Sequence, residues 1–379
     1  ELSVFRNDKK NPLVFSQSSF NYEYLMDNQE KYINIQGLKT NINEKVYYNN
    51  EISLKFLNNN FDDIYIKEIN LSTVKDIVIK TNLKFNRSLN QVLSKFIDAT
   101  FSNIYISDLN NLKKFNYSLE FKNLDTAIKD EYYVNNLDGY VFGDNAKNYV
   151  RISSKDVIFG GKNDHRQKYN SLDANVLINV KNDGYQIKTD TINLADDVEI
   201  KLDGYFGPKN HQYRLKVSGS LDSLLKDEFF PNIYENIINQ PILNSRYVIE
   251  YNELLNDKNK YNFGKVIFSD FIFKSEEYAI FGSSDNITVN FLNNYIISKP
   301  STLKLNHDNF NFRIFTTKQK NILEYTLQSV GNISTKSLKK TNLFDNLDYL
   351  DGDALSKLSL KVMKSSDNAN VVMILQSDM

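Results

Sequence analysis

The chain has no cysteine among its 379 residues. Disulfides are excluded, and with them thiolate metal sites and any cysteine nucleophile. The absence fits an oxidising compartment managed without disulfides as well as it fits a cytosol. Proline is scarce, at 5 residues, and no Pro-, Gly- or Ser-rich stretch reads as a linker between domains. Neither sign of charge is in excess: 46 basic and 47 acidic residues, mixed along the chain, leave a formal charge of −1. Such a balance creates no field that would draw nucleic acid or an anionic membrane surface. Long hydrophobic runs are missing too. A membrane-spanning helix needs roughly eighteen or more consecutive apolar residues, and the best run, VVMIL at 371–375, is the size of a strand.

Recognisable chemistry is equally sparse. The three histidines, His165, His211 and His307, stand in polar, turn-like contexts with no second histidine or carboxylate at ligand spacing, so each reads as a surface residue. Gly160 and Gly161 in FGGKNDH lack the GK[ST] ending of a phosphate loop and read as a turn. The acidic stretch DNLDYLDGD (345–353) fails as an EF-hand, because counting back from Gly352 puts Leu347 at the first ligand position. No GxSxG elbow is present. The expectation is a protein that is not an enzyme and that carries no metal and no cofactor.

What the chain does have is alternation. In VEIKLDGYFGPKNHQYRLKVSGSLD (198–222), Val198, Ile200 and Leu202 fall on one side of a strand and Glu199, Lys201 and Asp203 on the other. After a polar turn, Tyr213, Leu215 and Val217 repeat this against Arg214, Lys216 and Ser218. The pattern recurs at Ile52–Phe56, Phe115–Phe121, Val150–Ile152, Val176–Val180, Tyr185–Ile187, Ile287–Phe291, Phe310–Ile314, Leu323–Leu327 and Leu358–Val362. Turns such as KNDG (181–184), GPKN (207–210) and KSSDNAN (364–370) separate many of these runs at hairpin spacing. With 41% apolar and 25% charged residues, the composition is that of a folded chain. An all-β antiparallel meander is the economical reading.

Two stretches depart from the period of two. In SLNQVLSKFIDATF (88–101), Leu89, Val92, Leu93, Phe96 and Ile97 share a helical face behind Ser88 as N-cap. SLLKDEFFPNIYENIINQP (223–241) reads as a second helical piece, interrupted by Pro231. Both are expected to plug or cap the sheet. A faint echo, Leu137-Asp138-Gly139-Tyr140 against Leu202-Asp203-Gly204-Tyr205 with a degenerate LDGD at 350–353, places glycine where a strand turns or bends and supports repeated hairpin units. The abundance of Asn, Lys, Ile and Tyr is read as the mark of an AT-rich coding sequence.

Taken in order, NNLDGYVFG (135–143), DVIFGG (156–161), SLDANVLINVKNDGYQIKTDTINL (171–194), VEIKLDGYFG (198–207) and YRLKVSGSLDSLLKDEFFPNIY (213–234) resemble the central region of AsmA-like proteins of the YhdP and TamB type. ITVNFLNNYIISKPSTLKL (287–305), GNISTKSLKK (331–340) and the final VVMILQSDM are similar to the end of that region. The resemblance covers about two-thirds of the chain, from about residue 85 onward. It implies one elongated region over 1–379, a long antiparallel meander curled into a trough, or β-groove, with one or two short helices. It also implies a non-enzymatic phospholipid conduit between the inner and outer membranes of a Gram-negative envelope. Residence in the periplasm, as a monomer, would follow, with an inner-membrane anchor in a segment outside this chain. The partners implied are phospholipids and, at the ends of the longer protein, the two membranes or their proteins; nucleic acid is not among them.

On that reading the groove is lined by Val176, Ile178, Ile187, Val198, Ile200, Leu202, Tyr213, Leu215, Val217, Val289, Phe312 and Leu360, while Lys201, Arg214 and Lys216 face water. Periodicity alone favours a closed sandwich or β-solenoid, a structural or adhesin-like envelope protein whose apolar face is ordinary core; the resemblance turns the reading to the conduit.

Overall fold

The computed structural model describes residues 2–6, 8–42, 45–75, 95–109, 115–129, 132–161, 166–194, 197–220, 242–243, 245–256, 259–275, 279–319, 322–340, 352–363 and 369–376. The chain is all-β and divides into two compact units, Glu1–Ala195 and Asp196–Met379.

In the first unit the strands are β1 (Leu2–Arg6), β2 (Asp8–Asp27), β3 (Glu30–Ile42), β4 (Lys45–Leu57), β5 (Asn60–Asn70), β6 (Phe96–Ser107), β7 (Asn116–Lys129), β8 (Tyr132–Asp144), β9 (Lys147–Gly160), β10 (Arg166–Lys181), β11 (Gly184–Thr189) and β12 (Ile192–Leu194). From β1 to β10 each pairs antiparallel with the next, and β10 then pairs with both β11 and β12. A helical turn at 71–75, α1, follows β5 and buries Leu71 completely.

The second unit contains β13 (Val198–Phe206), β14 (His211–Ser220), β15 (Ile242–Leu243), β16 (Arg246–Leu255), β17 (Lys260–Ser275), β18 (Ile280–Leu292), β19 (Tyr295–Ser298), β20 (Ser301–Leu305), β21 (Asp308–Gln319), β22 (Ile322–Ser334), β23 (Asp353–Met363) and β24 (Ala369–Gln376). It too is an antiparallel meander, running β13, β14, β16, β17 and β18. The short β19 and β20 share one side of β18, and β21, β22, β23 and β24 follow. A short helix, α2 (Thr335–Lys339), is capped by Ser334, whose Oγ accepts from the Ser337 amide.

Asparagine does the conformational work that glycine does in most sheets. Of the non-glycine residues with positive φ, Asn28, Asn58, Asn59, Asn293 and Asn306 sit in hairpin turns. Asn58 and Asn59 both have positive φ (51° and 62°) in the two-residue loop between Leu57 and Asn60, the requirement of a type I′ turn. Asn tolerates this region because its short polar side chain bonds locally. The abundance of Asn therefore has a structural role as well as a coding one.

A second set, Asn103, Asn123, Asn136 and Asp156, lies inside β6, β7, β8 and β9. Asn103, Asn123 and Asn136 coincide with register shifts between neighbouring strands, the mark of β-bulges. Each inserted residue moves the strand's alternation by one. Accordingly, the buried positions across the bulge are three apart rather than two: Phe121 and Leu124 in β7, Val134 and Leu137 in β8, Ser154 and Val157 in β9. Bulged strands bend and twist more strongly, so this line of bulges curls the meander. Its buried side chains, with Phe101, Leu172, Ala174 and Leu194, form the core of the unit.

The bulges break backbone ladders, and neighbouring side chains complete them. The Asn123 amide donates to Asp138 Oδ1 (2.8 Å), and the Asn136 amide to Asp125 Oδ1 (2.9 Å). Ser154 Oγ accepts from the Asp138 amide (2.8 Å) and donates to the Asp138 carbonyl (3.1 Å). In the second unit Ser245 Oγ accepts from the Ile272 amide and donates to the Asp270 carbonyl, Ser284 Oγ donates to the Thr302 carbonyl, and Ser298 Oγ accepts from the Ile314 amide. All four serines are buried. An orphaned buried amide or carbonyl costs about 1–3 kcal/mol, so these hydroxyls are part of the crease itself.

The helix expected over 88–101 has its C-terminal bound corrected: Lys95 is helical, residues 96–101 belong to β6, and residues 88–94 lie outside the described residues, as does the whole of 223–241. The echoed glycines behave alike: Gly139, just beyond the β8 bulge, underlies Phe121 of β7, and Gly204, near the end of β13, underlies Tyr213 of β14. A Cβ would meet the Arg151 carbonyl oxygen at 2.1 Å and Phe121 Cζ at 2.6 Å at the first, and Tyr213 Cβ at 2.4 Å at the second, so both positions lack room for a side chain.

Replacing Ser154 by Ala removes the acceptor and donor serving Asp138. Urea unfolding should show a loss of about 1–3 kcal/mol, whereas Ala at the adjacent exposed Ser153 should stay within about 0.5 kcal/mol. Equal effects would mean that the hydroxyl does not hold the crease.

Candidate functional site

In the second unit the cross-strand registers assemble the alternating runs into one surface. Ile200 stands opposite Val217, Val217 opposite Ile249, Ile249 opposite Val266, and Val266 opposite Val289. The next row is Leu202, Leu215, Tyr251, Gly264 and Phe291. Such directly opposed residues share a face, so Val198, Ile200, Leu202, Tyr213, Leu215, Val217 and Val289 lie on one side. The reverse face carries Lys201 opposite Lys216, Lys216 opposite Glu250, and a Glu250–Lys265 ion pair at 3.2 Å. Lys201, Arg214 and Lys216 are exposed, as expected.

The degree of burial is informative. Val198, Ile200, Leu202, Tyr213, Leu215, Val217 and Val289 are half-buried rather than buried. Phe312 differs, at 7% exposure, and lies opposite Ser329 in β22. Leu360 sits opposite Leu327, with its side chain outside the described residues. In the first unit Val176 and Ile178 of β10 and Ile187 of β11 are half-buried, and Ile178 pairs directly with Ile187. Along β10 exposure rises away from the crease, from Leu172 and Ala174, both buried, through Val176 and Ile178 to exposed Val180. Apart from Phe312 and Leu360, the expected lining residues are thus gathered within each unit onto apolar faces that keep partial access to water.

One part of this surface was not legible in the sequence. Beyond the Leu202–Leu215–Tyr251 row, toward the strand ends, the same face turns polar around Glu253 of β16, a buried carboxylate. His211 Nε2 lies 2.7 Å from Glu253 Oε1 and Lys260 Nζ 3.1 Å from the same oxygen. Tyr251 and Tyr213 donate their hydroxyls to Oε2 at 2.6 and 3.3 Å. The Asn262 amide, turned with its nitrogen toward the carboxylate, donates to Oε2 at 3.2 Å. Rings stack alongside: Phe206 on Tyr213 (5.5 Å between centroids), Tyr213 beside Tyr251 (5.9 Å), and Tyr251 on Phe291 (6.0 Å). His211, expected at the surface, is instead half-buried in this cluster. Its carboxylate partner lies 42 residues away in sequence, beyond any spacing rule.

Burial by itself raises a carboxyl pKa, but here the hydrogen bonds from Tyr251, His211 and Lys260 outweigh it and hold Glu253 at about 2. Burial, reinforced by that carboxylate, raises the pKa of both Tyr213 and Tyr251, so they remain protonated donors. Among the described residues no group of three or more His, Cys, Asp or Glu side chains could hold a metal. No helix among them is long and apolar enough to cross a membrane.

Because the folded pKa of Glu253 lies below the unfolded value of 4.5, its contribution is fully present above about pH 4.5 and lost as pH falls toward 2. Thermal unfolding between pH 5 and 2 should show this acid limb, worth on the order of 3 kcal/mol, and Glu253→Gln should flatten it. An unchanged acid limb in Glu253→Gln would contradict the assigned network. In a search of protein families, curated proteins and solved structures, none matches this chain.

Proposed function

We propose that the chain is a non-enzymatic conduit for phospholipid, in which acyl chains lie along the apolar face and head groups remain in water. The observation that carries this reading is the half-burial of that face. Large apolar residues in the middle of a sealed sandwich pack out of contact with solvent, whereas Ile200, Leu202, Leu215 and Val217 keep access to it. Such a face lowers a specific barrier. Exposing acyl chains to water costs about 0.8 kcal/mol per CH₂, so a sixteen-carbon chain alone costs on the order of 13 kcal/mol. A head group riding in solvent needs no convergent cationic pocket.

The resemblance to AsmA-like proteins of the YhdP and TamB type supports the same reading. It adds the setting: a periplasmic bridge between inner and outer membranes, anchored through a segment outside this chain. Phospholipids and the two membranes or their proteins are the proposed partners.

Two substitutions test the conduit. A photo-crosslinker at Leu215 or Val217 should capture lipid while one at Lys216 should not, because successive residues face opposite sides; equal labelling at all three would refute the assigned faces. Leu215→Asp places a carboxylate where acyl chains must pass. On a half-open face that carboxylate is hydrated, so the melting temperature should fall modestly while transfer between donor and acceptor vesicles falls steeply. Lys216→Asp should change neither by much. A folded Leu215→Asp protein that transfers lipid at the normal rate would contradict the conduit. A failure to fold would favour a closed core, where an unpaired buried charge costs several kcal/mol.

A further inference from the structure

The cluster at Glu253 is more elaborate than a solvated strand end requires. Its carboxylate is buried on the lipid-facing side of the sheet, at the margin where the apolar rows give way to polar ones. Four of its neighbours, His211, Tyr213, Tyr251 and Asn262, project from three adjacent strands. The fifth is different in kind. Lys260 is the first residue of β17, and its side chain is 54% exposed, yet its ammonium reaches the buried Oε1. An ion pair with so exposed a partner is weak, on the scale of surface pairs, and the ammonium can leave toward water while His211, Tyr213, Tyr251 and Asn262 still hydrogen-bond to the carboxylate.

We propose that Glu253 forms a binding site for a primary alkylammonium group, such as the amine of an aminophospholipid whose phosphate stays in water, and that Lys260 occupies it in the free protein. Lys260 is itself a primary alkylammonium, so its Nζ marks where a ligand nitrogen would hydrogen-bond to Oε1. The fixed negative charge favours a cation and disfavours a bare phosphate. Neighbouring rows of Leu202, Leu215 and Phe291 place acyl-binding surface beside the head-group site. The assignment of the ligand to a lipid rests on the conduit reading; the ammonium chemistry of the site does not.

The test separates the two. Ligand-observed saturation-transfer NMR on the full chain, with free ethanolamine as the probe and glycerol phosphate as control, should show transfer to ethanolamine only. Glu253→Gln, close to isosteric, should abolish it. Lys260→Ala should tighten the apparent Kd by up to about fivefold, as removal of an exposed competing ion pair predicts. No transfer in the wild-type protein, or a Lys260→Ala variant that binds no better than wild type, would overturn the site. In a parallel arm, the protein is exposed to mixed phosphatidylethanolamine and phosphatidylglycerol vesicles and its bound lipid is extracted. Wild type should enrich the ethanolamine lipid, and Glu253→Gln should lose the enrichment with total lipid unchanged. Ethanolamine binding without any lipid uptake would retain the site and remove the conduit.

Discussion

Each strand must keep its apolar residues in phase with those of its neighbours, because a slip of one residue transfers every side chain to the opposite face. The rest of the structure follows from how this constraint is met. On the arms of the sheet it is met by strict pairing, as in the row from Ile200 to Val289. At the crease of the first unit it is met by insertion: a residue with positive φ in each of β6, β7, β8 and β9 shifts the alternation by one. Because the shifts fall in adjacent strands, the buried positions line up across the bend and make a narrow core. Within the same unit, half-buried Val176 and Ile178 continue β10 outward from that core.

The same device explains what was legible in the sequence. Alternation announced the arms, and Val198–Leu202, Tyr213–Val217 and Ile287–Phe291 all proved to be strand faces of the expected sense. The crease was invisible for a physical reason: a bulge interrupts the period of two that identifies a strand. Phe96 and Ile97 illustrate this. Register shifts at Phe96–Asp98 and Asp98–Thr100 break the alternation of β6 directly after Lys95, a helical residue, so the helical spacing reads on into the first residues of the strand. Asparagine was similarly opaque, since composition reveals its abundance but not the left-handed positions that it fills.

The polar cluster shows a second limit. His211 and Glu253 meet only because β13, β14 and β16 pair in order, and Lys260 and Asn262 join them across β17. No local motif joins these residues. Taken one at a time, they look like ordinary polar residues near turns. Their chemistry emerges from register, which places five hydrogen-bonding groups around one buried carboxylate beside an apolar floor.

The central claim is that the half-buried face carries acyl chains. Native mass spectrometry of gently purified protein tests it most directly. The account predicts copurifying phospholipid at a defined stoichiometry, reduced in the folded Leu215→Asp variant and retained in Lys216→Asp. Protein free of bound lipid, with its apolar face intact, would contradict the conduit and favour a structural role for the sheet.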